Sequence, residues 1–319
     1  MKIRSILCPT DFSEFSRHAV EHAVALARSN DAELALIHVY PFMMVWGGDA
    51  PYLPSGLPMD SSTRALLLRD LEATAAPARA AGVRTNVLLL EGDPGEEILR
   101  QARTAATDLI VMGTHGRRGF DRWVLGSVAR RVVQKACCPV LTVPRRSEGT
   151  QSPAVTAYSD ILCPVDLEGS ETTLDAALSM ARLSGARVTV LHVLDGLPQL
   201  EATLRMAGID GTTLPERLEL DARKALRQAV ARVVAQGANV DELVGIGKAY
   251  REILGFSRTR GVDLIVMGIH QRSPIDRLFL GSTTLHVLQQ ATCPVLTVPP
   301  QAEKRRARPL PSISQESFA

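Results

Sequence analysis

With 319 residues, 45% of them hydrophobic and 22% charged, the chain has a globular composition and the length for two separate cores. The formal net charge is +2, and one C-terminal run accounts for it: Lys304, Arg305, Arg306 and Arg308 stand against Glu303 and Glu316, which leaves residues 1–299 neutral. A neutral body argues against a nucleic-acid-binding face, and no segment reaches the roughly 18 apolar residues of a membrane span.

Along the chain, apolar β-rich runs alternate with amphipathic ones, the pattern of βαβ units on a parallel sheet covered by helices on both faces. The N-terminus, Met1 to Pro9, runs straight into the first strand, so no signal peptide is expected and the expected compartment is the cytosol. In the first half the patterns predict strands at 3–9, 33–39, 84–91, 108–112 and 139–143, and helices at 13–29, 61–81, 95–106 and 127–136. Asp93-Pro94-Gly95-Glu96 reads as an N-cap, a proline at the first helical position and an acidic first turn. A linker rich in Arg, Ser, Gly and Pro at 147–158 separates a domain of residues 1–146 from one of 159–299, and 300–319 reads as a disordered basic tail. The second half predicts strands at 159–163, 187–193, 239–246, 263–267 and 294–298, with helices at 170–184, 215–236, 249–260 and 282–291. Irregular connections are expected at 40–60 and 195–214. No two of the five cysteines form a Cys-x-x-Cys pair, so they read as small buried apolar residues rather than zinc or redox ligands.

The two halves repeat each other. Asp108-Leu-Ile-Val-Met-Gly-Thr-His-Gly116 recurs as Asp263-Leu-Ile-Val-Met-Gly-Ile-His-Gln271, Gly126-Ser127 as Gly281-Ser282, and Cys138–Pro144 as Cys293–Pro299. A unit of this length occurring twice is a tandem duplication and not a solenoid. The copies differ where Gly116 becomes Gln271.

Open parallel sheets bind ligands at the C-terminal ends of their strands, where strand order reverses. Three features of the first half fall on that edge: Asp11 after the first strand, Gly113 and Gly116 after the fourth, and Gly126-Ser127 opening the last helix. A helix N-terminus offers unpaired N–H groups and partial positive charge, and glycine lets the backbone reach a phosphate and adopt positive φ. Arg117, Arg118 and Arg122 lie inside the glycine loop. Asp11 reads equally as a helix cap or turn residue and as an acceptor for ribose or the adenine amino group. His38 and His192, and likewise His115 and His270, are repeat equivalents, and no acid, base, nucleophile or metal-ligand constellation accompanies them.

The spacing Gly113-x2-Gly116-x9-Gly126-Ser127 is neither a dinucleotide-binding Gly-x-Gly-x-x-Gly nor a Walker loop. It resembles the ATP-binding branch of the universal stress protein family, as do Ile6–Glu14, Leu36–Val39, Gly92-x-Pro94-x-x-x-Ile98 and Cys138–Leu141, over essentially residues 1–144 and 159–299. The resemblance implies two five-stranded parallel sheets, each in the order 3-2-1-4-5. It implies that ATP, with magnesium on its phosphates, contacts Pro9, Asp11, Val39, Met112, Gly113, Gly116, Gly126, Ser127 and Val128. Val39 and Met112 would flank the adenine. In the second half it implies a weaker set: Pro164, Asp166, Val193, Met267, Gly268, Gly281, Ser282 and Thr283. Gln271 is expected to weaken that site, because a side chain forced to positive φ costs roughly 1 kcal/mol or more. The resemblance also implies pairing through the closing strands, here as an intramolecular pseudo-dimer, and allows a further homodimer of whole chains.

The expected function is a nucleotide-responsive stress or signalling module with at most slow ATP hydrolysis. The competing readings are a ligand-free interaction protein and a weak ATPase or nucleotidyl-transferring enzyme.

Overall fold

The computed structural model describes residues 1–41, 59–114, 125–144, 158–167, 169–207, 214–234, 238–269 and 280–300. Gly116, the three loop arginines, His115, His270, Gln271, the linker up to residue 157 and the basic tail lie outside the described residues.

Each half begins on a short apolar strand pinned at its start by a distant aspartate. Asp108 accepts hydrogen bonds from the Arg4 and Ser5 N–H groups at 2.8 and 3.2 Å, and Asp263 accepts from Ser159 and Asp160 at 2.7 and 3.1 Å. The aspartate opening each Asp-Leu-Ile-Val-Met-Gly run is therefore a staple between strands. Burial raises the Asp263 carboxyl above its ordinary value, although the two N–H donors pull it down.

The first half runs β1 (Ser5–Pro9), α1 (Glu14–Asn30), β2 (Glu33–Tyr40), α2 (Ser61–Ala80), β3 (Thr85–Glu91), α3 (Pro94–Thr104), β4 (Leu109–Gly113), α4 (Ser127–Lys135) and β5 (Val140–Val143). The second runs β6 (Asp160–Pro164), α5 (Glu171–Ser184), β7 (Arg187–Leu194), α6 (Leu197–Met206), α7 (Leu214–Val234), β8 (Val240–Ile246), α8 (Ala249–Thr259), β9 (Leu264–Gly268), α9 (Ser282–Gln290) and β10 (Val295–Val298). Every predicted strand and helix is present, with ends shifted by a residue or two. The correction is α6, which occupies part of the connection expected to be irregular at 195–214. Its Leu197 side chain is buried, so an apolar anchor recruits the segment into helix.

The strand order is β3-β2-β1-β4-β5-β10-β9-β6-β7-β8. Each half has the 3-2-1-4-5 order, parallel throughout, and the two expected sheets join edge to edge as one sheet of ten strands. At the seam β10 pairs antiparallel with β5, Leu296 opposite Leu141. Thr142 Oγ1 donates to the Val295 carbonyl and Thr297 Oγ1 to the Val140 carbonyl, both at 3.1 Å, which closes the seam symmetrically. All four residues of each closing strand are buried. An apolar edge strand left in water would invite association, and pairing the two edges removes that exposure.

Side chains from alternate positions of the strands form two core layers. One face packs Ile6, Cys8 and Leu36 against Ala19, Ala23 and Leu71 of α1 and α2; the other packs Leu7, Ile37 and Ile110 against Ile98, Leu99 and Val132 of α3 and α4. The second half repeats both layers. This leaves the C-terminal ends of β1 and β4, and of β6 and β9, between helices on opposite faces. Among the described residues, no helix is long and apolar enough to cross a membrane.

Candidate functional site

The first-half edge is built around the turn after β1. Thr10 is buried, donates from Oγ1 to Ser16 Oγ at 3.0 Å, and accepts from the Phe12 N–H at 3.1 Å. Phe12 adopts φ 64°, a left-handed conformation. Asp11 Oδ1 accepts from both the Ser13 N–H and Oγ, at 3.1 and 2.6 Å. Ser13 is the residue that caps α1, its side chain accepting from the Ser16 N–H. The cap reading of Asp11 is thereby corrected: the aspartate orients the capping serine from two residues upstream, at the strand's mouth.

The strand histidines hold this turn. His38 Nδ1 lies 2.8 Å from the Thr10 carbonyl, and His192 Nδ1 lies 3.0 Å from the Val165 carbonyl. A carbonyl only accepts, so Nδ1 carries the proton in both. Packing and hydrogen bonding account for the two side chains.

At the fourth strand, Gly113 ends β4 and Gly126 precedes α4. Thr114 ties the intervening loop at its base: its N–H donates to the Val143 carbonyl at 3.1 Å, and its carbonyl accepts from the Gly126 N–H at 2.9 Å. Gly126 has φ −57° and no side chain caps the helix. Gly281 repeats this with φ −55°, again without a side-chain cap. Neither glycine adopts positive φ. Nor does packing demand one at Gly281, because an added Cβ would meet nothing within 4 Å. The space it would enter is the cleft.

Positive φ is used elsewhere. Gly92 and Gly247, at φ +142° and +141°, turn the chain from the third strand of each half into the next helix. Asp93 then caps α3 by accepting from the Glu96 N–H at 2.9 Å, as the sequence indicated. Arg131 of α4 binds Asp93 at 2.6 Å and lies over Gly95, where an added Cβ would come within 2.6 Å of its Cδ. The second half replaces this with an aromatic pair, Tyr250 stacked on His286 at 4.4 Å. Lys248 stands where Asp93 does, offers α8 no side-chain cap, and binds Asp195 at 3.1 Å.

All eight expected second-half residues line one cavity of about 460 Å³: Pro164, Asp166, Val193, Met267, Gly268, Gly281, Ser282 and Thr283. The same cavity is lined by Ser170, Thr173, Leu191 and Thr284, among others the sequence reading missed. In the first half, Pro9, Asp11, Val39, Met112, Gly113, Gly126, Ser127 and Val128 occupy the corresponding strand ends and helix mouth. Val39 and Met112 are buried within the core layer under α3 and α4. Among the described residues, no group of three or more His, Cys, Asp or Glu side chains could hold a metal ion.

Cys8, Cys138, Cys163 and Cys293 are buried free thiols, as expected, and burial raises the Cys163 and Cys293 thiols to about 12. Cys137 is exposed, contrary to expectation, because it lies outside the helix and strand that flank it. A hydrogen bond from the Cys138 thiol holds the Cys137 thiol down at about 6.

This architecture is matched by a known family. The profile of the universal stress protein family (Usp) matches residues 2–144 and again 157–299, so the chain belongs to the universal stress protein family as a tandem of two copies. One copy's length aligns with universal stress protein MJ0531 of Methanocaldococcus jannaschii at 38% identity over 149 residues, 44% of this chain and 82% of that protein. Universal stress protein YxiE of Bacillus subtilis aligns at 32% identity over 143 residues, 43% of this chain and 97% of its own length. Over the whole tandem, the crystal structure of a universal stress protein from Archaeoglobus fulgidus shares the fold, with a TM-score of 0.69, 20% identity, and coverage of 93% of this chain and 98% of that one.

Proposed function

We propose that the first half binds ATP and that its occupancy sets the conformation or partner binding of a cytosolic stress or signalling module. The observation that carries this reading is the mouth of α4. A glycine with an ordinary negative φ opens an uncapped helix beside Gly113, at the edge where β1 and β4 diverge. The first N–H groups of such a helix have no intrahelical acceptor and suit phosphate oxygens. Asp11, two residues after β1, would accept from ribose hydroxyls or the adenine amino group. Val39 and Met112 supply apolar surface for the base, and Gly116 completes the loop spacing. Ser127 adds a hydroxyl and Val128 a backbone N–H at the phosphate end. Magnesium would travel with the phosphates, held by them and by solvent. No general base or nucleophile is assigned, so hydrolysis is slow. The free thiols fit a reducing compartment.

The test is to denature freshly purified protein and chromatograph what is released. The reading expects adenine nucleotide at up to one equivalent from the first half, abolished by Gly126→Val, whose isopropyl group would block the helix mouth. Nucleotide-free protein that also shows no melting shift with ATP would favour a ligand-free interaction protein.

A further inference from the structure

The two halves reverse charge along one helix. At the repeat offset, Lys248, Arg251, Gly255 and Arg258 match Asp93, Glu96, Arg100 and Arg103. In the first half these charges find partners close by. Arg131 binds Asp93 at 2.6 Å and Glu96 at 3.6 Å, Lys135 lies 3.9 Å from Glu96, and Arg100 binds Glu97 at 2.5 Å. In the second half His286 and Gln290 stand where Arg131 and Lys135 do, and α9 carries no acidic residue. Lys248 binds Asp195, but among the described residues neither Arg251 nor Arg258 has a carboxylate partner. Glu252, the one acid in α8, lies instead against Gly245 and Gly247 at the end of β8. One ion pair has not been exchanged for its mirror image. A cationic face is left without counter-charge.

That face is held in place. Helix α8 turns Ile253, Leu254 and Ser257 into the core, so Arg251, Gly255 and Arg258 form an exposed row on its outer side. Arg251 Nε donates to Tyr250 Oη at 3.0 Å, its guanidinium lies 5.8 Å from the centre of that ring, and the ring stacks on His286. Arg258 donates to the Gln290 carbonyl at 3.5 Å. Each guanidinium is thus oriented and keeps further N–H donors for an incoming group. Between the two arginines stands Gly255, and a Cβ added there would meet nothing within 4 Å. Glycine weakens a helix interior, and no neighbour requires one at this position. Its effect is to leave a gap in the row.

We infer that the outer face of α8 docks a short acidic peptide segment of a partner protein, with Arg251 and Arg258 taking its carboxylates and Gly255 admitting its backbone between them. Arg251 and Arg258 are seven residues apart, about 10 Å along the helix axis. Carboxylates three positions apart on an extended peptide span about the same distance. Arginine forks suit carboxylates, and groups already oriented lose less freedom on binding. A nucleic acid fits less well, because it calls for a broad basic surface and residues 1–299 are net neutral. The proposal is independent of nucleotide binding in the first half.

The test is fluorescence anisotropy on the full chain, with a labelled peptide carrying two glutamates three positions apart. The peptide should bind, and more weakly as salt is raised. Arg251→Glu/Arg258→Glu should weaken it at least about tenfold, while Arg69→Glu, on the exposed face of α2, should leave it unchanged. Gly255→Leu separates a docking seat from mere attraction of charge. Leucine should raise the melting temperature, since it favours helix and enters open space, and yet weaken the peptide by closing the gap. Absence of binding, or unchanged affinity in either Arg251→Glu/Arg258→Glu or Gly255→Leu, overturns the inference. Tighter binding of a single-stranded oligonucleotide of equal charge also overturns it, and makes the face a nucleic-acid surface.

Discussion

The two halves share a backbone and differ in the lining of their clefts. Strand staples at Asp108 and Asp263, the turn glycines Gly92 and Gly247, and the His38 and His192 bonds recur almost unchanged. The turn after the first strand does not: one half closes it with paired hydroxyls from Thr10 and Ser16, and the other faces Ser170 and Thr173 into a cavity. The interactions that hold the chain's path are thus the same in both halves, and the cleft-facing surface differs. A side chain that satisfies a backbone group has few substitutes, whereas one that faces a cleft answers only to what enters it.

The strongest way to break the comparison is at the seam, where the halves should be interchangeable. Leu141 and Leu296 face each other, both fully buried. Leu141→Ala and Leu296→Ala should each cost about 2–5 kcal/mol, and by similar amounts, in denaturant unfolding. A marked inequality would mean that the halves do not contribute equally to the joint.

The turn itself should show the opposite, unequal behaviour. Ser16→Ala leaves the buried Thr10 hydroxyl without its acceptor and should cost about 1–2 kcal/mol. Ser170→Ala removes a hydroxyl that lines the cavity, with Val165 in place of the Thr10 donor, and should cost less than Ser16→Ala. Equal costs in thermal unfolding would refute the claimed difference between the turns.

A smaller asymmetry lies at Cys137, whose counterpart is Thr292. The thiolate is the nucleophile, and a thiol held at about 6 is ionised across neutral pH. The rate of iodoacetamide alkylation at Cys137 should rise through pH 6 and level off above it, with the four buried thiols of the native protein unreactive. A rise only near the ordinary thiol value of about 8.5, followed by peptide mass spectrometry, would show that Cys138 does not hold Cys137 down.

Much of this was legible in the residues. Apolar runs bounded by glycine and proline located all ten strands, and Asp93-Pro94 marked a helix start that the structure reproduces to the residue. The eight second-half positions picked out by the resemblance converge on one cavity. The helix α6 was hidden because its stretch carries little periodic signal and is held by a buried leucine. Ser170, Thr173 and Thr284 were missed because hydroxyl residues near a helix start read as caps or surface. Only their burial against the cavity at the starts of α5 and α9 shows that they face inward.

By itself, the sequence determined the duplication, the alternation of strands and helices, and the phosphate-type spacing Gly113-x2-Gly116-x9-Gly126-Ser127, because periodicity and glycine placement are local properties. The tertiary structure alone decided that the closing strands zip two sheets into one, that Gly126 and Gly281 open their helices without an unusual backbone angle, and which hydroxyls line the second-half cavity. Each of these depends on what lies across a sheet or a cleft from a residue, and such neighbours lie far apart in the chain.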